Sequence, residues 1–317
     1  MTIAEKLKNT KSPLFTFELL PPLKGHHIDE LYAAIDPLVE FNPAYINITY
    51  HQEEVVFRKN TAGVLEKRKI RKRPGTAAIS AALQNKYGIT VIPHIICGGF
   101  SAEETEEALI DLSFLKINNL LALRGDPPKG KHIFKPVEGG HRHTNELVKQ
   151  IMAMNNGKYL DDKYTGDFST NFSVGVAGYP EKHFESPNMK SDINHLKMKV
   201  DAGADYIVTQ MFFDNQKYFE FVELCRAAGI TVPIVPGIKP INRKRDMRVL
   251  PQTFYIDIPQ ELVDEIDRCK TDAQARQAGV EWAVKQSKEL KSFGVPALHY
   301  YTLGQSDNIR KIAGTVF

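Results

Sequence analysis

The sequence has few cysteines and no long apolar segment. Its three cysteines, Cys97, Cys225 and Cys269, lie far apart and form no CxxC pair, which argues against a disulfide framework and against a structural zinc site. No apolar run approaches the roughly 20 residues that a membrane helix needs. The N-terminal stretch MTIAEKLKNTKSP also lacks the apolar core of a signal peptide. We therefore expect a cytoplasmic protein with no membrane partner.

The chain also lacks a strong charge excess and several catalytic motifs. Its formal net charge of +3 argues against a general nucleic-acid-binding protein. It contains no P-loop, no GxSxG nucleophile elbow and no cysteine with an obvious base beyond His94. His132, His141 and His143 share one segment, but no Cys or carboxylate partner stands at ligand spacing. We therefore expect no metal site.

What is present is a repeating alternation of apolar strands and helical segments. Most of the strand-like runs are continuously apolar, as parallel strands covered on both faces are. Ser101 and Glu104 stand in capping-box register at one helix start, and Gly203, Gly229 and Gly294 are suited to end three helices. The predicted strands are 14–19, 45–50, 90–96, 120–125, 172–178, 205–211, 233–238 and 298–303.

Eight strand–helix units predict a single (β/α)8 barrel domain over residues 1–317. The composition, 42% hydrophobic and 25% charged, allows a large core. The competing architecture is a doubly wound sheet. Such a sheet usually has a glycine fingerprint after its first strand, whereas here the first strand leads into ELLPP. The barrel is therefore favoured.

Three stretches do not fit the simple alternation. Residues 57–75 carry eight Lys or Arg; we interpret them as a solvated helix and loop, with attraction of an anionic ligand as the alternative. Residues 128–145 form a long segment after the fourth strand, where a barrel often has a binding loop. Residues 156–171 are typical of a surface connection.

The C-terminal ends of barrel strands form the rim where the chemistry of this fold takes place. Any one polar strand-end residue has an ordinary structural explanation, but together they indicate a site for a polar, planar ligand. The strand-end residues are Glu18, Thr49, Tyr50, His51, Gln52, His94, Arg124, Gly125, Asp126, Tyr179, Gln210, Tyr300, Tyr301 and Thr302.

Eight motifs, taken in order, resemble the methylenetetrahydrofolate reductase family in its stand-alone catalytic form. The combination of LALRGD, TQMFFD and an N-terminal FExxPP is specific, and the matches span residues 15 to 305. The motifs are FELLPP, ITY, PHIIC, LALRGD, GYPEKH, DAGADYIVTQMFFD, PGIKPI and HYYTL.

The resemblance implies a flavoprotein oxidoreductase built on a TIM-type barrel that binds FAD without a Rossmann fingerprint. It implies a ping-pong reaction in which NADH or NADPH reduces FAD. The reduced FAD then converts 5,10-methylenetetrahydrofolate to 5-methyltetrahydrofolate, a step of one-carbon metabolism and methionine biosynthesis. A homo-oligomer is also implied.

The resemblance assigns roles to Glu18, Asp126 and Gln210, both as catalytic and as substrate-binding residues. Glu18 is the expected general acid that protonates N10 of the folate. This role needs a raised pKa, which apolar neighbours such as Phe17 and Leu19 would favour. Asp126 is expected to bind the pterin edge and to disfavour the anionic reduced flavin, while Gln210 would contact both substrates.

Further positions match residues that contact FAD in the family, and a few depart from its pattern. The family often has Asn and Arg where this chain has His195 and Met198, and Arg where it has Gln305. Because a glutamine lacks the charge of a guanidinium, the substrate contact of Gln305 is the most altered. The expected cofactor-binding residues are Thr49, Tyr50, His94, Arg124, Gly125, Asp126, Thr144, Tyr179, His183, Asp192, His195 and Lys199.

Three other functions stay open at this point. One is a different FAD-dependent barrel oxidoreductase, similar to proline dehydrogenase. Another is a pterin- or folate-binding barrel without catalysis. The third is adhesion through the Arg124-Gly125-Asp126 triplet, which a cytoplasmic location and a position on the barrel rim both disfavour.

Overall fold

The computed structural model describes residues 2–127, 133–161, 163, 166–302, 304 and 306–317, without the side chain of Lys69. In this part of the chain, eight parallel strands close into a barrel with helices around it. The prediction of a (β/α)8 barrel is therefore confirmed. The barrel strands are β1 (Leu14–Leu19), β2 (Tyr45–Ile48), β5 (Val91–Ile96), β6 (Asn119–Leu123), β7 (Ser173–Gly178), β8 (Tyr206–Met211), β9 (Ile234–Ile238) and β10 (Ala297–Tyr301).

The barrel closes between its first and last strands. β1 pairs with β10, so that Phe17 lies beside Tyr300 and Glu18 beside Tyr301. On its other edge β1 pairs with β2, and Glu18 lies beside Asn47. Each predicted strand is present, and the structural bounds differ from the predicted ones by at most two residues at either end.

Alternation along the strands separates two apolar layers. Ile234 and Ile238 of β9 belong to the large core between strands and helices, whereas Val235 packs in a second cluster. This second cluster also contains Ile3 and Leu7 of the N-terminal helix. Because successive strand residues point to opposite faces, one set of side chains faces the helices and the other fills the barrel.

Helices follow the strands, and their ends use the expected residues. Ser101 and Glu104 form the capping box of α4, and Gly203, Gly229 and Gly294 have positive φ angles just after helices. No described helix has the length and apolarity needed to cross a membrane. The helices are α1 (Ile3–Asn9), α2 (Asp29–Val39), α3 (Thr76–Tyr87), α4 (Ala102–Phe114), α5 (Thr144–Asn155), α6 (Met189–Asp201), α7 (Asn215–Ala227), α8 (Asp246–Phe254), α9 (Gln260–Arg268), α10 (Asp272–Phe293) and α11 (Ser306–Val316).

The basic stretch 57–75 is not a helix and loop, and that interpretation was wrong. Residues 54–70 form an antiparallel hairpin of β3 (Glu54–Lys59) and β4 (Leu65–Ile70), outside the barrel sheet. Its turn is closed by Asn60, whose side-chain oxygen accepts hydrogen bonds from the backbone of Ala62 and Val64. The segment has a period-two pattern, typical of a strand, in which Val55 and Phe57 alternate with other residues. The many Lys and Arg residues made this pattern hard to detect in the sequence.

A second departure from simple alternation lies after β9. Two short helices, α8 and α9, precede the long helix α10, and they bury their own apolar cluster. That cluster joins Leu250 and Leu262 to Met211 at the end of β8. The insertion therefore packs on the same end of the barrel as the strand termini. Residues 156–171 contain no regular element among those the structure describes, as expected for a surface connection.

Candidate active site

Glu18 lies at the end of β1 within a buried polar cluster. Its carboxylate Oε2 is 3.3 Å from Nε2 of His94 and 4.0 Å from Nε2 of His299. Only 9% of Glu18 and 5% of His94 is exposed, and His299 is fully buried. Below them, Thr16 Oγ1 lies 2.9 Å from Nδ1 of His299. One carboxyl group therefore faces two imidazole rings at the inner edge of the rim.

Burial keeps one of these imidazoles neutral. Loss of hydration lowers the pKa of His94 to about 4, although the nearby Glu18 acts in the opposite direction. A neutral His94 can accept a proton or donate one hydrogen bond, but it does not place a cation against Glu18 near pH 7. Nε2 of His299 has no hydrogen-bond partner among the described residues, and neither has Oδ1 of Asn47. The cluster therefore has free hydrogen-bonding capacity around the carboxylate.

His299 and Asn47 were missed by the sequence analysis, which named His94 as a cofactor contact. They stand in the middle of the apolar runs LHYY and YINI, where a lone polar residue is easily taken for an ordinary core residue. The detectable signal is their register. Asn47 pairs with Glu18 directly across β1 and β2. On the other side of β1, Glu18 pairs with Tyr301, and His299 lies two residues before Tyr301.

The Arg124-Gly125-Asp126 triplet follows β6 at the same rim. Gly125 has a φ of +83°, and a Cβ there would lie 3.2 Å from the Ile96 side chain, so both conformation and space favour glycine. The backbone carbonyl of Asp126 accepts a hydrogen bond from Gln52 at 2.8 Å. The Asp126 side chain is itself exposed. The triplet thus belongs to a tightly built rim with an accessible carboxylate.

Arg124 is held in place by neighbours that the sequence analysis did not name. Its Nη1 donates a hydrogen bond to Glu185 at 2.5 Å, and its guanidinium lies 5.0 Å from the ring centre of Phe134. The hydrogen bond lowers the pKa of Glu185. The ion pair fixes the arginine that precedes Gly125.

A second group of expected cofactor residues gathers after β7. Tyr179 and His183 contact edge to face with ring centres 4.7 Å apart. Asp192 accepts hydrogen bonds from Ser186 Oγ at 2.7 Å and from the His183 backbone at 3.1 Å. Lys199 donates to the carbonyl of Ala177 at 2.9 Å, and burial lowers its pKa to about 8. The loop after β7 is therefore pinned by Asp192 next to a partly desolvated ammonium group.

The remaining expected residues differ in how deeply they are buried and in which part of the barrel they lie. Thr49 and Tyr50 follow β2 and are partly buried, and Gln210 ends β8, where its Oε1 accepts the backbone N–H of Met211 at 2.9 Å. Thr144 is the first residue of α5 and is buried. His195 is exposed on α6, and its side chain forms no hydrogen bond or ion pair with the described residues, so it is the least integrated of the set. Gln305 lies outside the described residues.

These features fit a flavin dinucleotide. A dinucleotide needs cationic and N–H donors for its diphosphate. Lys199 and the N-terminus of α5 at Thr144 are groups of these two kinds. No group of three or more His, Cys, Asp or Glu suited to a metal is found in the part of the chain that the structure describes.

The family model for methylenetetrahydrofolate reductase matches residues 3–316. The chain belongs to the methylenetetrahydrofolate reductase family. It is 33% identical over 316 residues to methylenetetrahydrofolate reductase (NADH) 1 of Arabidopsis thaliana, covering 96% of this chain and 48% of that protein. It is 28% identical over 302 residues to 5,10-methylenetetrahydrofolate reductase of Escherichia coli, covering 95% and 90% of the two chains. This chain spans about half the length of the plant relative.

A solved structure shares the fold of this member of the methylenetetrahydrofolate reductase family at low sequence identity. It is an uncharacterised protein from Clostridium thermocellum that binds two copies of 5-methyl-5,6,7,8-tetrahydrofolic acid. The TM-score is 0.63 at 13% identity, with 99% of this chain and 97% of that chain covered. At this identity the likeness shows the barrel fold alone.

Proposed function

We propose that this chain reduces 5,10-methylenetetrahydrofolate to 5-methyltetrahydrofolate with NADH or NADPH, through bound FAD. The single observation that carries the proposal is the buried Glu18 carboxyl facing His94 and His299 on the rim of a chain of this family. The names of relatives support the reaction: one is a methylenetetrahydrofolate reductase of the NADH type, and another is a probable one of the NADPH type.

Residues of the second group would hold the cofactor. Lys199 and the N-terminus of α5 would meet the diphosphate, Tyr179 and His183 would border the nucleotide, and Gly125 would let the backbone approach the ring system. When bound, FAD supplies hydride transfer from the nicotinamide to the folate. Asp126 would lie close to this chemistry, where its negative charge opposes an added negative charge on a neighbouring ring.

Glu18 would act as the general acid. The methylene bridge of the substrate closes a five-membered ring between N5 and N10, and opening this ring needs a proton on N10. A Glu18 carboxyl group donates that proton, while His94, which burial keeps neutral, lies against the carboxyl with its Nε2 3.3 Å from Oε2. The Thr302 hydroxyl donates to the Glu18 backbone carbonyl at 2.7 Å and fixes the strand end.

Substrate orientation would come from two further side chains. The exposed carboxylate of Asp126 can accept two hydrogen bonds from the amino-pyrimidine edge of a pterin. Gln210, at the end of β8, offers an amide that can both donate and accept. A pterin edge presents both hydrogen-bond donors and acceptors, so Asp126 and Gln210 together can orient the ring.

The test is to separate the two half-reactions of Glu18→Gln by stopped flow. We expect NADH to reduce the flavin at the parent rate, whereas oxidation of the reduced flavin by 5,10-methylenetetrahydrofolate should slow by about 10²- to 10⁴-fold, as loss of a general acid does. Glu53→Gln, an exposed carboxyl on the same rim, is the matched control and should keep both rates. Survival of both half-reactions in Glu18→Gln would refute the acid assignment.

The same measurements separate the alternative functions. A barrel similar to proline dehydrogenase would bind flavin but would not oxidise NADH in response to folate. A binding barrel without catalysis would leave its flavin oxidised on mixing with NADH. A cytoplasmic location and a homo-oligomeric state are parts of our proposal, and fractionation and light scattering test them. Comparing NADH with NADPH as reductant assigns the donor.

A further inference from the structure

The hairpin β3–β4 leaves the barrel at the rim that carries Glu18. It begins just after the end of β2, and its base is tied to the segment that follows β1. The backbone N–H of Lys24 donates to the carbonyl of Lys72 at 2.7 Å, and Arg73 donates to the carbonyl of Pro21. The hairpin root is therefore fixed beside the strand end that presents Glu18.

The two faces of the hairpin differ in chemistry. Side chains alternate along each strand, so paired residues share a face. One face carries both acidic residues, and they are engaged: Glu66 pairs with Arg68 at 2.9 Å and Glu54 with Lys72 at 2.5 Å. We call the other the lysine face. Its described side chains are Val55, Phe57, Lys59, Leu65 and Lys67.

The lysine face is open and has no carboxylate of its own. Phe57 is 65% exposed and Leu65 is 62% exposed, and Lys59 and Lys67 are exposed as well. Within the described residues, neither lysine forms an ion pair. An exposed surface of this kind, apolar and cationic together, suits a ligand that has carboxylates separated by methylene groups.

We propose that the lysine face binds the γ-linked oligoglutamate tail of the folate substrate. This inference rests on the proposed function, because it assumes that a folate occupies the rim. Residues 57–75 contain eight Lys or Arg and one acidic residue, Glu66, while the whole chain has a formal net charge of only +3. The rest of the chain is therefore net acidic, and the hairpin is the part of the rim that attracts a polyanion.

The spacing of the lysines agrees with this ligand. Phe57 pairs with Lys67 and Lys59 pairs with Leu65, so the two lysines are diagonal neighbours about 7–8 Å apart, with their Cβ atoms somewhat closer. In an extended γ-glutamyl chain, successive carbons that bear carboxylates are about 6 Å apart from ordinary bond lengths. Flexible lysine side chains cover the difference. Phe57 and Leu65 lie between them and can contact the methylene groups of each unit.

The test compares folates with one and with five glutamates. In the double variant Lys59→Gln/Lys67→Gln, we expect the KM for the pentaglutamate to rise about threefold to tenfold, the range for two exposed ion pairs. We expect kcat, the KM for the monoglutamate and the KM for the nicotinamide cofactor to stay unchanged. The matched control is Lys288→Gln/Lys311→Gln, two exposed lysines on α10 and α11, which should behave as the parent.

Salt provides a second readout on the same proteins. In the parent, added KCl should raise the KM for the pentaglutamate more steeply than that for the monoglutamate, because exposed charges are screened. This difference should disappear in the hairpin variant only. A parent protein that binds both folates with equal KM would overturn the inference and leave the proposed function standing. A parent that reduces neither folate would refute the proposed function itself.

A second copy of the chain is the competing occupant. Light scattering on the double variant tests it directly. An unchanged ratio of the two KM values together with a lost oligomer would assign the lysine face to an interface between copies, and the inference would then be wrong. An unchanged oligomeric state, together with loss of the difference between the KM values for the pentaglutamate and the monoglutamate, supports tail binding.

Discussion

Because the ring of His94 is buried, its protonation in mild acid should lower the stability of the folded protein. Burial lowers the pKa of His94 from 6.5 to about 4 in the folded state, while the unfolded chain has the ordinary value. The unfolded state therefore binds a proton first as the pH falls below 6.5, and protonation favours unfolding. At pH 5 this linkage costs the folded state about 2 kcal/mol, and below pH 4 it costs about 3 kcal/mol. At pH 8 the effect is absent.

Urea unfolding at pH 8 and pH 5 measures this contribution. The His94→Asn variant keeps a hydrogen-bonding side chain but has no group that titrates in this range. It should be less stable than the parent at both pH values, because packing and contacts with Glu18 are lost. We expect its own drop in unfolding free energy between pH 8 and pH 5 to be smaller than that of the parent by about 2 kcal/mol.

Comparing the decrease in unfolding free energy between pH 8 and pH 5 in the parent and in His94→Asn removes the contributions of all other titrating groups. His195→Asn, an exposed histidine on α6, is the matched control and should show the drop of the parent. If parent and His94→Asn lose the same free energy on acidification, then His94 is not held neutral by burial.

Three further outcomes test other parts of the structure. Asp126→Asn should raise the flavin midpoint potential and slow folate turnover, and an unchanged potential in a spectroelectrochemical titration would contradict the charge effect. Gly237→Ala should lower the free energy of unfolding, measured with urea, by about 1–3 kcal/mol. A Cβ there would lie 2.4 Å from a carbonyl oxygen of β8 and 2.5 Å from the Tyr301 ring. Gly166→Ala is the control and should be nearly neutral, because no atom of the described residues, its chain neighbours aside, lies within 4 Å of a Cβ at that position. Burial raises the pKa of Cys97 to about 12, so peptide mapping should find it unlabelled by a thiol reagent at pH 8 until the protein is unfolded.

Barrel strands were predictable because they are continuous apolar runs between clear helix boundaries. Ser101 with Glu104, and the glycines at 203, 229 and 294, define helix ends by local chemistry that does not depend on the rest of the fold. The rim position of Glu18 followed from the fold rule for strand ends. These are local or architectural signals, and a single sequence contains them.

The hairpin and the imidazole cluster could not be predicted in the same way. In residues 54–70 the density of Lys and Arg concealed a period-two pattern of Val55 and Phe57. The approach of His299 to Glu18 depends on the pairing of strands that are far apart in the chain. Such a contact is set by barrel register, and a one-residue shift would turn His299 towards the helices. The roles assigned to Glu18, Asp126 and Gln210 stay predictions until the half-reactions are measured.

The pairing of β1 with β10 has a consequence for how the protein acquires its native state. Leu14–Leu19 is synthesised long before Ala297–Tyr301, so one of its edges has no partner until that later strand has emerged. Contacts this distant in sequence form slowly, because a long loop must close first. Glu18, His299 and the Thr302 hydroxyl that holds the Glu18 carbonyl meet only at this closure. Refolding kinetics followed at the Glu18 cluster should therefore report the last step of barrel formation, after most helices have formed.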